Sequence, residues 1–428
     1  MAVLAIVFFC VCLGGVPEFE NVIVCVAVIG VSLKIPYEIR DPIYGFIQLN
    51  ELERKIVDHP VFQRLRRIRQ LAFTDMVYPS AIYSRFEHSL GVMHLATLMY
   101  DSLLSKSKNV DLLKSELSYR AHELKKDRQL IRLAALLHDV GHPPLSHAGE
   151  KVMPNNNRGK KYRHEDYTAK IIREKFGGVI EEHPENKSNY NITAEEVASL
   201  IEGNKRVLGE KIFWRTLLSS QLDADRGDYL LRDAAHIGVK YGIYDYPRLI
   251  NTISLERELE EKLEENKLVL GVDEGGWHVA EEFILARYLM FTQVYFHKTR
   301  RAYDHHLRCV LQSFLPDGTF PPPNEMDEFL EWDDWDIFHL IKKNAKVNND
   351  CEAILNRKHV RKVYETPECP EVDDLEKLED AKRVLNDLIT FEDNSDKLWY
   401  NLGEEEIFII EEAVQQLPNS IDNILCAI

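Results

Sequence analysis

Disulfide chemistry is the first thing the chain lacks. Its 428 residues hold seven cysteines, Cys10, Cys12, Cys25, Cys309, Cys351, Cys369 and Cys426, an odd total with no Cys-x-x-Cys pair. That scatter suits a reducing compartment, so a cytoplasmic location is expected. Positive charge is also short. The 53 Lys and Arg face 70 Asp and Glu, giving a formal net charge of −17. Such a field repels a nucleic-acid backbone, which disfavours extended nucleic-acid binding and means that any phosphate ligand needs a local basic pocket or a metal ion. A third absence is an apolar run long enough to span a bilayer. The runs "MAVLAIVFFCVCLGGV" and "VIVCVAVIGVSL" are split by acidic "PEFEN", and no Lys or Arg precedes Lys34, so the basic start of a signal peptide is missing. Residues 1–33 are therefore expected to be an apolar leader rather than a membrane anchor, with the working protein beginning near Val31 or Leu33.

What remains is an ordinary globular composition. With 45% hydrophobic and 29% charged residues, the chain can bury one large domain and a smaller one. Helical periodicity dominates after Glu51. "VFQRLRRIRQLAF" puts Phe62, Leu65 and Ile68 on one stripe and leaves Arg64, Arg66, Arg67 and Arg69 on a solvated face. "RFEHSLGVMHLATLMYDSLL" and "DRQLIRLAALLHDV" read as buried helices. Further helices are expected over 164–175, 193–202, 223–235 and 279–312, with a small hairpin in "NTISLERELE" and "NKLVLGV". "FPPPNEMDE" at 320–328 reads as a linker. The expected class is mostly α: a helical bundle over 34–319 with a small β-hairpin, then an accessory acidic helical region over 320–428. No internal repeat is visible.

Within the bundle, "ALLHDVGHPPLSHAGE" ends a greasy helix with His138, Asp139, His142 and His147. Gly141 suits a left-handed helix end and Pro143 takes His142 out of helical dihedrals, which places the His138–Asp139 pair in the last turn. A helix C-terminus presents free carbonyls and the negative end of the dipole, so a cation is favoured there. Imidazole with carboxylate suits Mn, Fe, Zn, Co, Ni or, less well, Mg. One His-Asp dipeptide proves little. Its company is more telling: His88 lies on another buried helix, His164 and Glu165 in "RHEDYT", and Asp225 in "LDADRGDYLLRDAAH". Burying so many polar groups is costly unless they share a task; the competing reading is a set of satisfied core histidines.

The order His88, His138, Asp139, Asp225 resembles the HD superfamily of metal-dependent phosphohydrolases. The flanking segments "DPIYGFIQLN", "YPSAIYSRFEHSLGV", "LLHDVGHPPLSH", "HEDYT", "DRGDYLLRDAAHIG" and "VYFHKTRRAYDHH" follow the order of its deoxynucleoside triphosphate triphosphohydrolases, over about residues 36–310. The resemblance implies an HD-domain helical bundle whose His88, His138, Asp139 and Asp225 hold one divalent ion, dNTPs as substrates, and a homo-oligomer. It implies His142, His164 and Glu165 as the acid/base set, with His147 second, bonding the leaving phosphate. A histidine beside a carboxylate is fixed in tautomer and tuned in pKa. The plainer alternatives are that His147 caps a helix and that His164 and Glu165 form an exposed helix start.

The same resemblance implies Arg85 on the phosphates, with a surface ion pair as its alternative. Arg226 stands where the family has a lysine, keeping the charge and changing the geometry. Tyr229 and Asp233 share a helix face with Asp225 and would grip a sugar 3′-hydroxyl. Gln70 and Leu71 would lie near the base and 3′-hydroxyl, and Tyr303 would crowd the sugar C2′; core packing is the alternative for Leu71 and Tyr303. One position departs from the pattern: Tyr295 occupies the place of a family arginine. Arg248, in "YDYPRLI", resembles a segment lining an activating nucleotide site. Two other functions fit the same motifs: an HD phosphatase or phosphodiesterase acting on monophosphates or other phosphoesters, and a non-catalytic nucleotide sensor.

Overall fold

In the computed structural model the described residues are 5–12, 23–30, 37–117, 121–260 and 265–359. The expected C-terminal region beyond 359, and residues 1–4, 13–22 and 31–33 of the expected leader, lie outside them. The helices that position the site are α1 (Arg85–Ser105), α2 (Ala121–Leu137), α3 (His164–Ile171), α4 (Ala194–Glu202), α5 (Ala224–Ile237), α6 (Trp277–Met290), α7 (Lys298–Phe314), α8 (Asp334–Asn344) and α9 (Asn349–Leu355). Apolar residues surround α1 on nearly every side, Leu90, Val92, Met93, Leu95 and Ala96 being all buried, so it becomes the central helix, packed on α2 and α5. Its approach to α5 depends on Gly91, where a β-carbon would sit 1.9 Å from the Asp228 carboxylate. Thr193 and Glu196 form a capping box that starts α4, and Asp223 caps α5 by accepting from the Arg226 backbone nitrogen.

Among the described residues the strands form three antiparallel hairpins. The expected one pairs Ile253–Glu260 with Glu265–Val272. The other two were not anticipated: Tyr37–Asp41 with Gly45–Leu49, and Ala5–Cys12 with Ile23–Gly30, which joins the two apolar runs of the leader. No helix among the described residues is long and apolar enough to cross a membrane.

Four expectations are corrected. Residues 60–76 are not one helix but a turn of α-helix, a 3₁₀ turn, an extended strip at Ile68–Gln70 and a second 3₁₀ turn. Arg85 N donates to Ile68 O and Gln70 N to Tyr83 O, so pairing with the 82–85 segment overrides helical periodicity. The apolar stripe still goes inward, with Phe62, Leu65 and Ile68 fully buried. Of the four arginines only Arg66 is exposed: Arg67 and Arg69 are half-buried, and Arg64 is 2% exposed and donates to the carbonyls of Trp332 and His142. The 279–312 stretch breaks at Phe296–His297, where His297 caps α7. Finally, 320–328 is not a free linker: Phe320, Met326 and Phe329 enter the same hydrophobic core as Leu90 and Leu137, as do Ile337 and Ile354 beyond them.

Asp334 shows what the 320–359 segment does for the bundle. Its carboxylate accepts from the backbone nitrogens of Leu145 at 2.7 Å and Arg69 at 2.8 Å. Leu145 and Ser146 both take left-handed backbone conformations, φ 57° and 56°, which cost about 1–3 kcal/mol each and persist only when the surroundings enforce them. Asp334→Ala would leave two buried N–H groups without an acceptor, at about 1–3 kcal/mol apiece. A clear fall in Tm on thermal unfolding is expected; an unchanged Tm would show that the turn holds without this carboxylate.

Candidate functional site

The structure places His138 and Asp139 just past the end of α2, in a turn, and not in its last turn as expected. Gly141 does not adopt a positive φ there. It is needed for a different reason, since a β-carbon at Gly141 would lie 2.3 Å from the Thr168 nitrogen and 2.4 Å from the His164 carbonyl oxygen of α3. Thr168 fastens the turn by donating to His138 O and accepting from Gly141 N, both at 3.0 Å.

On this frame His88, His138, Asp139 and Asp225 converge. His88 Nε2 is 3.0 Å from Asp225 Oδ1 and 3.7 Å from Asp139 Oδ2. His138 Nε2 is 3.3 Å from Asp139 Oδ1 and 3.9 Å from Asp225 Oδ1. Both imidazoles are oriented from behind. His138 Nδ1 lies 2.7 Å from Ala135 O, and His88 Nδ1 lies 2.8 Å from Asp228 Oδ2. With Nδ1 donating, each Nε2 turns a lone pair into the cluster, and that of His138 is buried without a hydrogen-bond partner. An orphaned nitrogen facing two carboxylates is the environment a divalent cation satisfies, so the donor set fits such an ion. Asp225 is the open side, with about a third of its side chain exposed.

Burial alone would raise the carboxyl pKa values, but Arg85, His138 and His142 hold Asp139 well below its ordinary value. The hydrogen bond from His88, with the charges of His138 and His88, likewise overcomes burial and takes Asp225 down to about 2. Burial disfavours charge on His88, yet its hydrogen bonds to Asp225 and Asp228 push it up to about 10. A cation taken here would have to displace that proton.

A second cluster adjoins the first. His142 Nε2 is 3.4 Å from Asp139 Oδ1, and its ring stacks on His164 at 3.8 Å between centroids. Glu150 bridges the rest, Oε2 lying 2.7 Å from His147 Nδ1 and Oε1 2.5 Å from His164 Nδ1. Burial, Arg85 and His164 push the pKa of His142 well below the ordinary value. For His164 burial is outweighed by Glu150, and its pKa is raised. The expected partner of His164, Glu165, stands farther off at 3.5 Å and engages Arg163. His147 is mostly exposed.

The substrate-binding candidates divide. Arg85 is not a surface ion pair: it is 2% exposed, bonds Ser146 Oγ and Asp139, and keeps Nη2 without a hydrogen-bond partner. Arg226 pairs with the cap residue Asp223. Asp233 is buried and accepts hydrogen bonds from both Tyr83 and Tyr295, so the tyrosine that stands in for an arginine closes on the carboxylate expected to grip the sugar. The Tyr229 ring meets Tyr295 edge-on at 6.0 Å. Gln70 lies beside Tyr83 through its backbone, and Leu71 packs in a second apolar cluster with Tyr83, Leu230 and Leu231. Tyr303 is fully buried against Phe73 and His359 and belongs to the core, not to an open pocket wall.

Sequence reasoning missed Asp228 and left Glu150 out of the expected acid/base set. Asp228 sits three residues after Asp225 and four before Arg232, which bonds both its oxygens; that spacing on one helix was the available signal. Glu150, three after His147, carried the same kind of signal.

Comparison with known proteins fits this geometry. The HD domain matches residues 85–230, and the HD associated region matches residues 244–391. The crystal structure of a hypothetical protein from Aquifex aeolicus aligns with a TM-score of 0.65 at 32% identity, covering 82% of each chain. That of a phosphohydrolase from Bacteroides thetaiotaomicron aligns with a TM-score of 0.59 at 25% identity, covering 83% of this chain and 84% of the other. The deoxynucleoside triphosphate triphosphohydrolase SAMHD1 of Gallus gallus is 30% identical over 254 residues, 54% of this chain and 39% of that protein. The chain spans about half the length of the curated relatives it matches, between 46% and 54% for three that are described as uncharacterized. An HD domain over residues 85–230, in a fold shared at 32% identity across 82% of both chains, makes the assignment direct: the chain belongs to the HD-domain family.

Proposed function

We propose that the chain is a metal-dependent phosphohydrolase that converts a dNTP to deoxynucleoside and triphosphate by water attack at the α-phosphorus. The observation that carries this reading is two imidazoles locked with Nε2 facing two ionised carboxylates, directly beside a histidine pair governed by Glu150. His88, His138, Asp139 and Asp225 would hold the ion. When bound, a divalent ion supplies Lewis-acid polarisation of a phosphoryl oxygen and lowers the pKa of a water from about 15.7 towards about 7. Asp228 fixes the His88 ring. Asp228→Asn is therefore expected to weaken divalent-metal affinity by about 10- to 100-fold, read by calorimetric titration, with little change in the circular dichroism spectrum. Affinity equal to that of the wild type would remove Asp228 from this role.

The unpaired Nη2 of Arg85 suits a phosphate oxygen, while its Nη1 keeps Asp139 ionised and its Nε holds Ser146 Oγ. His164, charged through Glu150, donates a proton toward the leaving triphosphate. His142, neutral and stacked on it, accepts hydrogen bonds, and exposed His147 reaches the triphosphate end. Glu165 assists from 3.5 Å. The sugar end is formed by Tyr229, Asp233 and the Tyr83 and Tyr295 hydroxyls, with Arg226, Gln70 and Leu71 nearby in the fold. A homo-oligomer belongs to the same proposal, and exposed Trp277 and Leu285 on α6 favour it.

A smaller phosphoester as substrate is the second reading, favoured by the closure of Tyr83 and Tyr295 on Asp233 and by the full burial of Tyr303. Product analysis separates the two. Each dNTP, singly and in mixtures, is incubated with several divalent metals; tripolyphosphate with deoxynucleoside is the expected result. Inorganic phosphate from nucleoside monophosphates, with dNTPs untouched, would establish the second. Tight dNTP binding with no product under any metal would leave a nucleotide sensor.

A further inference from the structure

We propose a second metal site, for Zn²⁺, where α9 packs on α7, with His305, His306 and Asp350 as ligands and Cys309 as the fourth. Each of His305, His306 and Asp350 offers a donor atom, and these atoms lie within 4.8 Å of one another. His306 Nδ1 is 2.8 Å from Asp350 Oδ1, and His305 Nε2 is 3.8 Å from Cys309 Sγ. His305 and Cys309 stand four residues apart on α7, hence on one helix face, and the adjacent His306 ring lies 5.5 Å from that of His305. Asp350 reaches the pair from the first turn of α9.

Two imidazoles, a carboxylate and a thiol are the donor types Zn²⁺ takes in closed four-coordinate sites, and a thiol in the set disfavours Mg²⁺ and Ca²⁺. As the ion binds, Cys309 gives up its thiol proton to solvent and ligates as thiolate. His306 is 5% exposed and Asp350 about a third, which places the site at the edge of the core rather than on a free surface. Its effect is to fasten α9, and with it His359, against the helix that carries Tyr303, whose ring lies 5.0 Å from His359. No residue is shared with the His88 constellation, so the site stands or falls independently of the proposed hydrolysis.

Cobalt substitution of the full chain tests it, because a thiolate on Co²⁺ gives a near-ultraviolet charge-transfer band that histidine and carboxylate ligands do not. None of the three donor groups within 4.8 Å among the described residues includes a cysteine; Cys309 stands outside this one, 3.8 Å from His305 Nε2, so the band reports its recruitment as the fourth ligand. The band is expected in the wild type and in Asp225→Ala, retained in Cys351→Ser, and lost in Cys309→Ser. Elemental analysis after zinc loading should show one ion fewer per chain in His305→Ala and in Asp350→Asn, each with a wild-type circular dichroism spectrum. A wild type without the band, a band that survives Cys309→Ser, or unchanged zinc content in both ligand variants would overturn the site.

Discussion

Asp225→Ala is expected to lower dNTP turnover by about 10³-fold or more, because loss of a metal-held phosphoryl group removes several kcal/mol of transition-state stabilisation, at about 1.4 kcal/mol per tenfold in rate. The residue is chosen over its partners for physical reasons. Its side chain is the most exposed of the four, so truncation leaves no buried cavity, whereas His88 and Asp139 are sealed in the core. The substitution also removes the carboxylate that faces both His88 Nε2 and His138 Nε2. Steady-state tripolyphosphate release and metal content are measured together. Activity within tenfold of the wild type would show that the four side chains do not act as one metal centre.

The second large effect is at Glu150. Burial would lower the pKa of His164, but the charge of Glu150 and the hydrogen bond to it raise it above the ordinary value. A raised histidine pKa keeps the ring protonated to higher pH, so a rate that needs His164 as acid persists below that pKa and falls as pH climbs through it. Glu150→Gln removes the charge. The alkaline limb of the kcat profile should then move to lower pH, and the rate on that side should drop by about 10²-fold, within the usual range for general acid catalysis. Glu165→Gln serves as the comparison, because Glu165 is farther away and engaged with Arg163; its effect should be smaller. An unmoved limb in Glu150→Gln, or a larger effect at Glu165, would reassign the acid.

Most of the helices and the 253–272 hairpin could be read before any coordinates from local signals, apolar periodicity and turn residues, whereas the convergence of His88, His138, Asp139 and Asp225 was implied only by the family resemblance of their order. Elsewhere the local signal pointed the wrong way. The Phe62, Leu65, Ile68 stripe correctly marked burial but not helix, since pairing with residues 82–85 supplies hydrogen bonds that periodicity cannot see. Arg64 was taken for solvent-facing because its carbonyl partners, Trp332 and His142, are remote along the chain.

The sequence by itself determined the chemistry available: which side chains could meet a cation, and that an acidic chain would need a local basic pocket or a metal ion to hold phosphate. Only the tertiary structure decided how those groups are tuned. Asp228 behind His88, Glu150 under His164, the Tyr83 and Tyr295 hydroxyls on Asp233, and Asp334 bracing the strained turn are all brought in by packing. Hydrogen bonds and charges act over a few ångströms of space whatever the separation along the chain, so the order of residues names the actors and the packing assigns their protonation states.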